Sequence, residues 1–371
     1  MIDINFSKNK IIVMGDFILD YYRFLDADRL SPEAPVIVFR ETDVQWRLGG
    51  AGNVANNLKA MGVGEVKLFT VVGDDFDGFG KDLSFVDKLH GSHFNGKVLS
   101  FVQPIISRNR VTTVKERIIA RTQQILRVDS QSTFPVTVSD FNELVKKVEG
   151  DLEGTTAIVV SDYAHGVMQY SEMFAALIST ARDRGIHVIV DTKSNDAMRM
   201  YHGASIIVPN LNEAKLICGS RMLGLTDRDT EWLAEYLRDE MDLEATAITL
   251  GHEGAVLSTK DGVSRFQSLD HGDEEVVDVT GAGDTLAAAM AAALGAGMSY
   301  DEAMKVAQAA AGVVVQKLGV STAAKEEIKK ALERYEEGDR HVEEGRGANE
   351  DHGKTGLVRG GEGQAGSGAP A

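Results

Sequence analysis

Five short runs rich in β-branched residues, Ile11–Met14, Ala157–Val160, His187–Val190, Ser205–Val208 and Thr246–Leu250, recur between helical patterns such as Ser171–Arg184 and Asp229–Glu240. Strands that are apolar on both faces need cover on both faces. The alternation therefore predicts an α/β fold with a mainly parallel central sheet and helices on either side. Ligands of such sheets gather at the carboxyl ends of the strands. The polar residues that follow these runs are thus expected along one rim: Asp16, Asp20, Ser161, Asp162, Asp191, Lys193, Asn210, Asn212 and Glu213. With 371 residues, 43% of them apolar, the chain can bury a large core, and one domain with a lid is favoured over two smaller units.

Charge and composition remove several function classes. A formal charge of −17 argues against a nucleic-acid or anionic-membrane surface. The single Cys218 rules out an intrachain disulfide framework, fits a reducing compartment and is expected to be a buried thiol. The N-terminus has too short an apolar stretch for a signal-peptide core, and no run approaches a membrane span of roughly 20 residues, so a cytoplasmic location is expected. The nine histidines form no HxH or HExxH spacing, which places His165, His187 and His252 on the surface or in loops rather than on zinc. Two glycine motifs are decoys. Gly91–Lys97 fits the start of a P-loop, but Val98 replaces the hydroxyl residue that would hold Mg²⁺, and no strand leads into it. Gly361–Gly366 reproduces GxGxxG without a strand before it or a helix after it.

The chemistry concentrates in Asp278-Val-Thr-Gly-Ala-Gly-Asp-Thr-Leu-Ala287, which sets two carboxylates and two glycines at the start of an alanine-rich helix. Free backbone N–H groups around Gly281, Ala282 and Gly283, with the positive end of the helix behind them, make an anion cradle. Asp284 stands beside it as a candidate base. By itself the segment also reads as an ordinary helix start, with Asp284 as the cap. Near the other end, Ile11–Met14 runs into Gly15-Asp-Phe-Ile-Leu-Asp20 and, later, Gly49-Gly-Ala-Gly-Asn53. A sugar offers hydroxyls that both donate and accept, which a carboxylate plus an amide can satisfy.

Together the two glycine segments, in this order, resemble the ribokinase (PfkB) family of carbohydrate kinases, over about Ile11 to Leu332. Arg29–Val36, Gly49–Ala55, Arg121–Asp129 and Ser161–Tyr163 are similar to one branch of it, the D-glycero-D-manno-heptose 7-phosphate kinases. The resemblance implies a ribokinase-like sheet with a small β-lid, formed by segments 21–46 and 98–129, that covers the sugar and often pairs between the subunits of a homodimer. It implies ATP and Mg²⁺, and transfer to the anomeric hydroxyl with Asp284 as base, its carboxyl held near the usual value of about 4 by the helix terminus. Asp20, Gly49, Gly50 and Asn53 fall at acceptor-sugar positions. Lys193, Asn210, Glu213, Thr249, Gly251 and Gly254 fall on the nucleotide side, with Glu213 organising Mg²⁺ through water. Asp278 and Thr280 match the family's monovalent-cation place, where K⁺ would bind.

A phosphorylated acceptor also needs a cationic partner. The second lid segment supplies Arg108, Arg110, Lys115, Arg117, Arg121 and Arg127 in an acidic chain, of which Arg110, Lys115, Arg117 and Arg121 are the candidates; a solvated strand face is the plainer alternative. Kinases of fructose, fructose phosphate or ribose, and a catalytically idle sugar-binding protein, remain open on these residues. Heptose kinases of this branch are often fused to a nucleotidyltransferase. The residues after Leu332 leave no room for one, so the adenylyl step is expected from another protein. Residues 333–371 are rich in Gly and Glu, nearly devoid of large apolar side chains, and expected to be disordered.

Overall fold

Strand β1 (Lys10–Gly15) shows why the sheet is covered on both sides: every residue after Lys10 is buried. Ile11 and Val13 enter one apolar cluster and Ile12 and Met14 the other. The same division holds on β8 (Ala157–Asp162), where Ala157 and Val159 oppose Ile158 and Val160. A computed structural model of the chain describes residues 2–75, 101–121, 123–219, 230–268 and 276–334. Both decoy motifs and nearly all of the 333–371 segment lie outside the described residues.

The remaining strands are β2 (Phe17–Leu30), β3 (Ile37–Gly50), β4 (Glu65–Gly73), β5 (Val102–Ser107), β6 (Thr113–Ala120), β7 (Gln123–Ser130), β9 (His187–Thr192), β10 (Ile206–Ile207), β11 (Ala245–Thr249), β12 (Ala255–Thr259) and β13 (Gly262–Phe266). The central sheet has nine strands in the order β13-β12-β11-β10-β9-β8-β1-β4-β5. It is parallel from β11 to β5, and β12 and β13 add an antiparallel edge. The predicted strand Ser205–Val208 shortens to Ile206–Ile207, and the other four runs lie in strands that match the prediction within one or two residues.

Helix Ala282–Gly295 is buried continuously from Asp284 to Leu294. A helix apolar all round must sit in the interior. Here alanine lets it lie close against the sheet face that carries Ala157, Ala245 and Ala247, with helix Tyr300–Val314 packed alongside. On the opposite face, helices Val138–Gly150 and Ser171–Asp183 insert Phe141, Leu144, Phe174 and Leu177. Helix Thr230–Glu240 covers β11 and β12.

A second sheet of four strands, β3-β2-β6-β7, forms the lid. Residues at the root of β2 are buried and those toward Leu30 become exposed, so the hairpin grows out of the core into solvent. The expected lid limits need correction. The first lid segment spans Phe17–Leu30 and Ile37–Gly50 rather than 21–46, and its root is continuous with the sugar-side motifs. Within the 98–129 segment, Val102–Ser107 is not lid, because β5 pairs in parallel with β4 in the central sheet. No helix among the described residues is long and apolar enough to cross a membrane.

Candidate active site

The first turn of helix Ala282–Gly295 and the root of the lid meet over the carboxyl ends of the central strands, and Asp284 lies at the junction. It is 2% exposed. Its Oδ2 accepts from Asn53 Nδ2 at 2.9 Å and its Oδ1 from the Tyr163 hydroxyl at 2.9 Å. Asn53 is itself fixed: its Oδ1 accepts from Asn57 Nδ2 at 3.0 Å, and Asn57 Oδ1 accepts from the Ala323 N–H at 3.1 Å. Asn53 and Asn57 stand four residues apart on one face of helix Ala51–Ala60. That spacing was readable in the sequence, yet only Asn53 was singled out.

Burial pushes the Asp284 carboxyl up to about 6, against the hydrogen bond from Asn53, the charge of Lys193 and the bond from Tyr163. The expectation of a value near 4 is thus corrected. The helix terminus does not offset removal from water. Asp191 behaves alike, raised to about 7 by burial although Lys193 opposes the shift.

The helix opens at Gly281, whose φ of 83° belongs to the left-handed region. A side chain there would be strained, and its Cβ would stand 2.7 Å from the Asn53 amide nitrogen. The cradle is narrower than the sequence suggested, since the Ala282 N–H donates to the Val279 carbonyl at 3.2 Å. The N–H groups of Gly281, Gly283 and Asp284 have no backbone acceptor among the described residues and remain for an anion. Asp278 ties this loop down. Its Oδ1 accepts from the N–H and hydroxyl of Thr280 at 2.9 and 2.7 Å, and its Oδ2 from the Gly319 N–H at 2.9 Å.

At the root of β2, where the sequence places the acceptor-sugar residues, Asp20 is 2% exposed and paired with Arg117. Burial raises its carboxyl even with Arg117 and Lys115 pulling the other way. A Cβ at Gly49 would overlap Asp20 Oδ2, so only glycine lets that carboxylate rest against β3. Gly50 is the N-cap of helix Ala51–Ala60, and the Ala51 N–H reaches the Asp16 carbonyl at 3.0 Å.

The four lid cations named from the sequence separate. Lys115 and Arg117, two residues apart on β6, reach the site, Lys115 directly opposite Asp20 in the β2–β6 register. Arg110 is buried, and its Nη2 donates to the His165 carbonyl at 2.8 Å. Arg121, the residue after β6, is exposed with φ of 56°. His165 lies in the loop after β8, as expected, but is buried there, and its imidazole is lowered to about 4 by burial and the charges of Lys115 and Arg110; His187 is instead the first residue of β9.

Toward the nucleotide side, Lys193 Nζ lies 3.6 Å from Glu213 Oε1 and 4.1 Å from the centre of the Tyr163 ring. Asn210 and Glu213 form a capping box for helix Leu211–Cys218, so Asn210 also has a purely structural role. Thr249, Gly251 and Gly254 line a cavity of about 500 Å³ together with Ala282, Gly283, Leu286, Gln308 and Gly312. The cavity thus joins the strand-β11 loop to the first turn of the Asp284 helix.

The Gln308 side-chain Nε2 is buried there without a hydrogen-bond partner among the described residues. An adenine ring, with its acceptor nitrogens and flat apolar faces, fits a slot lined by Gly, Ala and Val that offers one free donor. Gln308 was missed from the sequence, although a lone amide in the run Val306-Ala-Gln-Ala-Ala-Ala311 is a readable signal. For Mg²⁺, Glu213 and Asp191 are the carboxylates near the cradle, Asp191 Oδ2 standing 3.7 Å from where a Gly283 Cβ would be. Among the described residues no group of three His, Cys, Asp or Glu side chains forms a ready-made metal cage. Mg²⁺ bound chiefly by phosphate and water needs none.

Residues 113–327 match the profile described as pfkB family carbohydrate kinase. The chain is 37% identical over 334 residues to the Bifunctional protein HldE of Coxiella burnetii (strain Dugway 5J108-111), a match covering 89% of this chain and 65% of that protein. It therefore spans slightly less than two thirds of the length of that relative. Among solved structures, Escherichia coli phosphofructokinase-2 in complex with substrates and products superposes with a TM-score of 0.68 at 18% identity, covering 88% of this chain and 99% of that one. Arabidopsis thaliana ribokinase complexed with ribose and ATP gives 0.61 at 19%, covering 87% and 98%. The matched profile, the mainly parallel sheet with its lid, and the buried carboxylate at a glycine-lined helix start together establish that the chain belongs to the pfkB family of carbohydrate kinases, ATP-dependent sugar kinases of ribokinase-like fold.

Proposed function

We propose that this chain transfers the γ-phosphoryl group of ATP to the anomeric hydroxyl of D-glycero-D-manno-heptose 7-phosphate, giving the 1,7-bisphosphate used in ADP-heptose and lipopolysaccharide core synthesis. The observation that carries the reading is the position of Asp284. It is buried and oriented by two donors, with the anion cradle on one side and the Asp20–Arg117 pair with Lys115 on the other. The relative at 37% identity, named as a bifunctional HldE protein, favours a heptose acceptor over other sugars.

In this reading Asp20, Gly49, Gly50 and Asn53 hold the sugar ring, and Lys115 and Arg117 face its phosphate. Arg110 and Arg121 act from further out, Arg110 by supporting the His165 loop and Arg121 at the lid turn. Asp284 takes the proton of the attacking hydroxyl, and the free amides of the Gly281–Asp284 turn stabilise charge on the transferring group. ATP supplies the phosphoryl group. Thr249, Gly251, Gly254 and Gln308 seat its base and ribose, while Lys193 faces its phosphates. Glu213 would hold Mg²⁺ through water, an ion that would supply neutralisation of phosphate charge, and Asp278 and Thr280 would hold a monovalent cation such as K⁺. The lid excludes water and pairs with that of a second copy. A cytoplasmic location follows from ATP as donor.

Phosphorus NMR with Mg-ATP and the heptose 7-phosphate, run beside fructose 6-phosphate, fructose and ribose, tests the assignment. A new anomeric phosphate from the heptose, absent with Asp284→Asn, is expected. Turnover with only another sugar overturns the heptose and keeps the kinase. No turnover with any of them favours an idle sugar-binding protein.

A further inference from the structure

The Tyr163 phenol is the one donor to Asp284 that the sugar-side and nucleotide-side motifs leave unassigned. It stands one residue beyond the end of β8, in a turn that is clamped from below. The Tyr163 and His165 N–H groups donate to Asp16 Oδ2 at 2.8 and 3.1 Å, and the Val167 N–H reaches Asp16 Oδ1 at 3.4 Å. Between them Ala164 takes a φ of 57° and donates its N–H to Asp162 Oδ1 at 2.9 Å. So many backbone bonds leave the phenol little freedom to wander. Its hydroxyl meets Asp284 Oδ1 at 2.9 Å while Asn53 occupies Oδ2, which fixes the plane of the carboxylate. Over the same ring stand Lys115 Nζ, from the sugar side, at 5.2 Å, and Lys193 Nζ, from the nucleotide side, at 4.1 Å. Both lie within cation–π range.

We infer that Tyr163 is the positioning residue of the phosphoryl-transfer base: its phenol aims Asp284 at the acceptor hydroxyl, and its ring seats the two lysines that face the acceptor and the nucleotide. The inference rests on the kinase reading above. A phenol pushed well above its usual value by burial and by the charges of Asp284 and Asp191 stays protonated wherever the enzyme works, so it donates and never competes as base. With one lone pair on each oxygen of Asp284 committed, the remaining lone pairs are left for the substrate proton. The other groups that face Asp284 are Asn53 from helix Ala51–Ala60, Asp20 from β2, and Lys193 and Asp191 at the end of β9.

Tyr163→Phe keeps the ring and removes only the hydroxyl; Tyr163→Leu removes both. Infrared difference titration against Asp284→Asn reads the Asp284 carboxyl directly, whatever the sugar. Its midpoint, about 6 in the native chain, is expected to rise by about one unit in Tyr163→Phe as one hydrogen bond to the charged form is lost. With the heptose 7-phosphate, kcat should fall about tenfold or more with both KM values nearly unchanged, and the acid limb should move with the titration. Tyr163→Leu should add a rise in both KM values. An unmoved midpoint with unchanged kcat in Tyr163→Phe overturns the inference, as does a rise in KM alone. If the native protein phosphorylates none of the sugars offered, the kinase reading fails, and the titration still decides Tyr163.

Discussion

As the proposed base, Asp284 carries two opposed demands, since a base must ionise and a buried carboxyl resists ionisation. With its folded value of about 6 above the ordinary carboxylate value of about 4, the charged side chain costs stability above pH 6, and that cost fades as the pH falls through 6 toward 4. Asp284→Asn removes the titration. Its melting temperature relative to the native protein is therefore expected to be higher at pH 8 than at pH 5, while kcat drops roughly 10²–10⁴-fold, on the usual scale for a general base. Thermal melts at the two pH values check the first, and an equal difference at both would refute it. Gly49 tests the acceptor side separately. In Gly49→Ala the new methyl must displace the Asp20 carboxylate and loosen its pairing with Arg117. The acceptor KM should rise about tenfold or more, the size of a lost charge-assisted hydrogen bond, while ATP binding by calorimetry stays within about twofold.

Elements decide which of these residues meet, and here the sequence was legible in part. The five apolar runs located β1, β8, β9, β10 and β11 because double-sided burial leaves continuous apolar stretches. The Asp278–Ala287 segment located the helix start because glycines and a carboxylate have few other uses before an alanine run. Two things escaped for a physical reason. Strand β5 reads the same whether it pairs with β4 or joins the lid, since its hydrogen-bond partner is not written in its own residues. The elevated Asp284 value escaped because it arises from burial by segments more than one hundred residues away in the chain, Asn53 and Tyr163 among them. The capping box of helix Leu211–Cys218 makes an element-scale prediction. Asn210→Ala removes the acceptor for the Glu213 N–H and should cost about 1 kcal/mol of stability. If the cap also sets Glu213 against Lys193, the KM for Mg-ATP rises and that for the sugar does not.

At the scale of the whole molecule, the lid is the part least supported by the rest of the chain. Strands β3 and β7 are the edges of its sheet, and β7 is exposed at every residue. Leu30, Val36, Ile37, Ile125, Leu126 and Val128 are among the most exposed large apolar side chains, and all lie on this sheet or its connecting turn. An unpaired edge with apolar residues invites another strand or sheet, and a sheet of four strands alone has little core of its own. In the proposed dimer, a second copy of the lid would supply what is missing. The protein is therefore expected to sediment as a dimer at micromolar concentration, and Leu126→Lys combined with Val128→Lys to shift it toward monomer. Because the proposed sugar-binding groups Asp20, Lys115 and Arg117 stand on β2 and β6 of this sheet, the separated monomer should show a raised acceptor KM with the nucleotide cavity intact. A native protein that sediments as a monomer, with the double variant unchanged in both respects, would mean that the lid holds its shape without a partner.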